Sequence, residues 1–321
     1  MYITVYVHIF PKIIYSKKLF NLEVIKIKRK IVLHGPSTLT VSLPASWVKK
    51  FDIKKGDELN LEEFGKELRI STEKAFDLEK KQITIKDLKR LGKSYLTSSY
   101  RQGYSEIDLN YDNSNYISII QDILSKEITG FEIIKQSSNS CLIKDLTGNN
   151  QGEFDNVLRR IWLLLIDLSK ASLNAFRKRD VARLKDMYLM DYSINKFSNY
   201  CLRLLIKKGH VDFKKTPLYY HLIKNLEETA DNYKDLCTFY SGNIKKIDDD
   251  LIIIFTRINE HLNEIYQLFY KYDEQKMENL FRKTKLTYNK RASLKNSTAY
   301  CLSSICENIR SLLTILVEIN L

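Results

Sequence analysis

The sequence predicts a multi-domain α+β protein. A small β-rich module at residues 26–72 precedes an α+β unit at 73–150 and an all-α body at 151–321, behind an N-terminal extension at 1–25. Three observations predict it. The stretch from Lys26 to Ile70 alternates apolar and polar residues between turn signals, as short strands do. Residues 73–150 switch between a period of two and a period of 3.6. From Glu153 onward every apolar stripe has helical spacing.

A chain of 321 residues can bury more than one core. With 44% hydrophobic and 28% charged residues it is globular in composition, and ten Gly with four Pro leave little room for low-complexity linkers. The net charge of +13 favours an anionic partner, nucleic acid or a membrane surface, although a Lys-rich codon bias produces the same excess. Five cysteines, scattered and without a Cys-x-x-Cys pair, fit buried thiols in a reducing compartment and not a disulfide framework or a zinc site. The longest dense apolar run, Ile161 to Ile166, is far short of the roughly 18 residues that a membrane span needs. No membrane insertion is expected, and the expected location is the cytoplasm. Residues 1–25 lack a basic leader and a small-residue cleavage site, so they read as a loosely docked extension or a start placed too early, not as a signal peptide.

Within the first module, Ile25, Ile27, Ile31 and Leu33 share one parity and Lys26, Lys28 and Lys30 the other, which predicts a strand up to Leu33. His34-Gly35-Pro36-Ser37 is a turn signal, and Leu39, Val41 and Leu43 alternate as a second strand. Pro44 suits the first turn of a helix, here Ala45 to Phe51 with Trp47, Val48 and Phe51 as its apolar side. Lys55-Gly56-Asp57 is a turn; Leu59 and Leu61 mark a third strand, Phe64-Gly65 a hairpin turn, and Leu68 and Ile70 a fourth strand. Residues 26–50 carry six basic side chains and no acidic one, whereas Phe51 to Glu67 carries six acids against three lysines. A basic block leading into a compact β pattern is suited to a polyanion.

The run SLPASWVKKFDIKKGDELNLEEFGKELRI resembles the AbrB/SpoVT family of swapped-hairpin DNA-binding domains. The likeness lies in the strand entering a Pro-led helix (Val41, Leu43, Pro44, Trp47, Val48), in Phe51-x-Ile53, and in Gly56-Asp57 before the next strand. It implies a swapped-hairpin β-barrel built by a homodimer, because one copy cannot bury both faces of its sheet. It also implies double-stranded DNA as partner. Lys28, Arg29, Lys30, Lys49 and Lys50 would meet phosphates, and His34, Ser37 and Thr38 would meet base edges or backbone. The alternative for the basic strand is a solvated edge, where lysines discourage further pairing.

Residues 73–150 read as β-α-β-α-β-β, with helices expected on one sheet face. The strands are Ile83–Ile85, Glu106–Tyr111, Phe131–Lys135 and Cys141–Leu146. The helices are 87–102, with Leu88, Leu91, Tyr95 and Ser98 as a face, and Tyr116–Ile128, with Ile119, Ile120, Ile123 and Leu124. Six helices follow, expected as two antiparallel three-helix bundles end to end. Their stripes run through Phe154 to Ala175, Leu184 to Leu205, Leu222 to Cys237, Leu251 to Phe269, a polar helix near 273–288, and Leu302 to Leu316.

Two of these helices carry acidic or amide pairs four apart, Asp191-x-x-x-Asn195 and Glu227-x-x-x-Asp231. Residues at i and i+4 share a helix face, so paired carboxylates can hold an oxygen-liking cation or can simply be solvated charges. Lys234 lies close enough in sequence to neutralise Asp231. The segments DYSINKFSNYCLRLL and LEETADNYKDL resemble the repeated signature of the PhoU family of six-helix phosphate-uptake regulators. The order of an AbrB-like domain, a spacer and a PhoU-like pair of three-helix bundles resembles archaeal phosphate-uptake-regulator fusions. That likeness implies a divalent or ferric metal ion in the first bundle, held by Asp191, Glu227 and Asp231. It also implies docking on a phosphate transporter ATPase or a sensor kinase. Asn195 departs from it by standing where an Asp is expected, and Glu307 is followed four on by Ser311, so the second bundle is read as having lost its site. No enzyme is expected: His8, His34, His210, His221 and His261 are dispersed, and Cys301 and Cys306 have no ligand spacing.

Overall fold

The computed structural model describes residues 28–64, 67–72, 80–113, 115–147, 154–247, 249–291 and 296–321. The expectations for the 1–25 extension, for Lys26 and Ile27, and for the turn at Gly65 lie outside these residues. The described residues divide into two compact units, one up to Leu59 and one from Asn60 onward.

In the first unit, β1 (Val32–His34) and β2 (Thr38–Thr40) form an antiparallel pair with Leu33 opposite Leu39 and His34 opposite Thr38. Gly35 closes the turn at φ +72°, a conformation that a side chain would disfavour. Thr40 Oγ1 donates to the Val32 carbonyl at 3.1 Å. The strands are shorter than the alternation predicts: residues 28–31 and 41–44 are extended into neither ladder. Alternation marks which residues could face a sheet, but a ladder needs a partner strand, and within one copy none lies beyond these three pairs. Pro44 precedes α1 (Ala45–Lys50), and Asp57 caps the following turn by accepting from the Lys54 N–H at 2.8 Å.

The second unit begins with the two-stranded sheet of β3 (Leu59–Phe64) and β4 (Glu67–Thr72). A four-stranded sheet follows in the order β5-β6-β8-β7, built from β5 (Lys80–Ile85), β6 (Glu106–Tyr111), β7 (Phe131–Gln136) and β8 (Ser140–Asp145). β5 runs parallel to β6, and β8 is antiparallel to both β6 and β7. One face of this sheet, with Ile83, Ile107, Leu109, Tyr111, Ile143 and Phe131, packs under α2 (Leu88–Arg101) and α3 (Tyr116–Glu127). The helices contribute Leu96, Tyr100, Ile120, Ile123 and Leu124.

The buried face of α2 is not the one that the stripe predicts. Leu91 and Tyr95 are exposed, and Gly92, Leu96, Ser99 and Tyr100 are buried. Small residues can fill core positions, which an apolar count passes over.

The body holds α4 (Phe154–Lys178), α5 (Val181–Lys185), α6 (Met187–Lys208), α7 (Thr216–Ser241), α8 (Asp249–Tyr270), α9 (Glu274–Arg291) and α10 (Asn296–Asn320). The stretch predicted as one second helix is two, broken at Asp186; Asp180 caps the short α5 by accepting from the Arg183 N–H at 2.9 Å. Helices α4, α6 and α7 pack together, as do α8, α9 and α10. The two groups do not keep separate cores: α10 lies along α7 and α4 along α8, and one apolar cluster runs from Leu158 to Ile319. Among the described residues, no helix is long and apolar enough to cross a membrane.

Candidate nucleic-acid interface and buried carboxylate site

The eight residues assigned to DNA are all exposed. Lys28, Arg29 and Lys30 lead into β1, His34 ends that strand, Ser37 sits in the turn, and Thr38 opens β2. Lys49 and Lys50 stand in the last turn of α1, where the helix carbonyls favour cations. Lys50 Nζ lies 5.4 Å from the centre of the Phe51 ring, which holds that end of the helix against its own apolar side.

The same unit leaves its apolar residues open. Ile31, Val32, Leu33, Leu39 and Val41 are 48–67% exposed. The β3–β4 hairpin does the same with Leu61 and Leu68. A two-stranded ribbon with apolar side chains on both faces has no core of its own to stand on.

The residues assigned to a metal lie in the second unit, along α6 and α7. Asp191 is 1% exposed, and its Oδ2 accepts from Lys234 Nζ at 3.2 Å and from Asn195 Nδ2 at 3.3 Å. Lys234 also donates to Asp231 Oδ1. Burial pushes the Asp191 carboxyl up to about 6 even though the ammonium beside it acts in the opposite direction. For Lys234, burial opposes the charge, but the hydrogen bond to Asp231 and the Asp191 charge outweigh it, so its ammonium is strengthened.

Glu227, one turn earlier on α7, does not join this pair. It accepts from Lys224 and lies 3.7 Å from the Arg101 guanidinium, which reaches across from α2. The structure thus brings Asp191 and Asp231 together on a lysine and sets Glu227 on two other cations. Among the described residues, no three His, Cys, Asp or Glu side chains gather in a way that could hold a metal ion. The donor set therefore does not fit a resident metal while Lys234 stays in place.

Around this point runs a polar seam between the α+β unit and α6 that the sequence reading did not anticipate. Arg203, itself buried, donates to the Tyr100 carbonyl at 2.7 Å and pairs with Asp145 at 2.9 Å, between the Tyr100 and Phe131 rings. Asn199 accepts from Arg101 Nε at 2.6 Å and donates to the Glu127 carbonyl at 2.7 Å. Lys196 donates to the Ser125 carbonyl at 3.1 Å, and Glu127, buried, pairs with Lys93 at 2.6 Å. The signal for it was present in Leu202-Arg203-Leu204-Leu205, a charge inside an apolar run.

His261 lies buried against Thr287 at 3.0 Å, and burial lowers its affinity for a proton. Cys141, Cys201, Cys237 and Cys306 are buried.

Comparison with known families matches residues 34–76 to the one described as antidote-toxin recognition MazE, bacterial antitoxin. No curated protein and no solved structure matches the chain. The matched stretch holds the first turn, β2, α1 and the β3–β4 hairpin, so residues 34–76 are a MazE/AbrB-like domain.

Proposed function

We propose that this protein is a DNA-binding transcription regulator that acts as a homodimer through its N-terminal module, with the helical body as sensor of phosphate status. The observation that carries the DNA-binding part is the pairing of exposed apolar residues with exposed cations in one short segment. Ile31, Val32, Leu33, Leu39 and Val41 need a second copy to cover them, and covering them gathers two sets of Lys28, Arg29 and Lys30. Two such sets supply the phosphate contacts whose counterion release gives affinity. The family match at residues 34–76 supports the same reading. The phosphate part rests on the resemblance of the α6 and α7 segments to the PhoU signature.

Gel shifts on genomic DNA fragments test the first part. Binding is expected to weaken steeply between low and moderate salt, and the triple reversal of Lys28, Arg29 and Lys30 to Glu is expected to abolish it while the dimer persists. Salt-insensitive binding, or none, overturns it. Occupancy across the genome with and without phosphate starvation tests the second part, which fails if the bound sites ignore phosphate genes.

A second reading follows from the matched family's description, which names toxin recognition. In it the exposed strands take a partner protein, and DNA contact is secondary. A pull-down from native cells separates the readings. A small toxin-like protein favours the second; a transporter ATPase or sensor kinase favours an adaptor role for the helical body; DNA favours the first.

A further inference from the structure

We propose that the Lys234 ammonium is the built-in cation of the α6–α7 carboxylate site and occupies it in place of a metal ion. The inference concerns the helical body alone and stands whether or not the N-terminal module binds DNA.

The donors around Lys234 are those that a hard cation takes. Asp191 and Asn195 lie one turn apart on α6, 1% and 3% exposed, and Asp231 comes from α7. One Asp191 oxygen accepts from both Lys234 and Asn195. Asp191 Oδ1 and Asn195 Oδ1 are buried with no hydrogen-bond partner. Buried oxygens without donors are rare in folded proteins, and here one sits on the carboxylate that the ammonium meets and one on the amide bonded to that carboxylate. A divalent ion needs oxygens at about 2.0–2.6 Å, so an ion shared by Asp191 and Asp231 would stand within a few ångströms of Lys234 Nζ and be repelled by it. Metal entry therefore requires the lysine to leave.

The neighbours on the other packed elements do not change this balance. Glu127 of α3, whose charge also acts on Asp191, is held by Lys93 of α2, and Glu227 is held by Lys224 and Arg101. Asp191, Asp231 and Lys234 remain, two acids and one base. A tethered ammonium differs from a metal in being always present, so the link from α6 to α7 does not respond to metal supply or to chelators. Asp191 of α6, Asp231 of α7 and the Lys234 ammonium thus form an internal ion-pair site.

Mn2+ is the probe. The wild-type protein is expected to bind no stoichiometric Mn2+ in equilibrium dialysis, and its melting temperature is expected to be the same in EDTA and in millimolar Mn2+. Lys234→Met removes the ammonium and keeps much of the side-chain volume. It is expected to take one Mn2+ per chain, seen by electron paramagnetic resonance, and to melt several degrees higher with the ion than without it. One Mn2+ bound per wild-type chain, or a folded Lys234→Met that takes none, overturns the proposal. Should Lys234→Met not fold, Lys234→Gln takes its place, and the wild-type measurement decides independently of either variant.

Discussion

Asp191 carries two opposed influences. An ammonium at 3.2 Å favours its charge, and near-complete burial disfavours it. Burial wins, and the carboxyl rises from 3.8 to about 6 in the folded protein. The folded state therefore binds a proton more tightly than the unfolded chain, so the stabilisation is full below about pH 4 and is lost as pH rises through 6. Asp191→Asn carries no such proton. Relative to the variant, the wild type is expected to lose up to about 3 kcal/mol of stability between pH 4 and pH 7, at about 1.4 kcal/mol per pKa unit. Urea unfolding of both proteins at several pH values checks this; parallel profiles would show that Asp191 titrates in the fold as it does in the open chain.

Among the elements, the contact of the four-stranded sheet and its helices with α6 contains one buried guanidinium beside the bonds of Lys196 and Asn199. Arg203 reaches from α6 into the space between Tyr100 and Phe131, binds the last carbonyl turn of α2, and pairs with Asp145 at the end of β8. Removing one partner of a buried pair leaves the other charge unpaired, which costs roughly 3–5 kcal/mol. Arg203→Met is expected to lower the unfolding free energy by that amount and to let residues 80–147 unfold before the body, seen as two transitions in urea where the wild type shows one. The same seam accounts for Lys196, Asn199 and Arg203 of α6, each of which bonds to the α+β unit, whereas Asp191 of the same helix meets Lys234 of α7.

For the molecule as a whole, the question is what covers the N-terminal strands. A helical body with one continuous core can stand alone, whereas a three-residue ladder with Leu33 and Leu39 in the open cannot. Placing a charge at the centre of that surface is expected to prevent pairing. Leu39→Asp is predicted to run in light scattering at the single-chain mass of 37.8 kDa and to lose DNA binding, and the wild type is expected at twice that mass. A Leu39→Asp protein that stays dimeric would place the dimer contact elsewhere in the chain.

The sequence alone was enough for the order and type of most elements, though it ran α5 and α6 together as one helix. Strand alternation, Pro44 and Pro217 at helix starts, and Gly103 and Gly209 after helix ends are local signals, and local signals survive without a fold. It was enough also for the eight exposed residues of the basic module, because charge and exposure go together. Tertiary structure decided the rest. The α2 face, with Gly92 and Ser99 inside and Tyr95 outside, depends on how near the sheet lies. The single core of helices α4 to α10 depends on α10 leaning on α7. Above all, the spacings of Asp191 with Asn195 and of Glu227 with Asp231 say which residues share a face, and Lys234 stands near Asp231 in sequence, but only the packing of α6 on α7 brings that lysine to Asp191. Periodicity shows which residues share a face; it does not show what the opposite face brings to it.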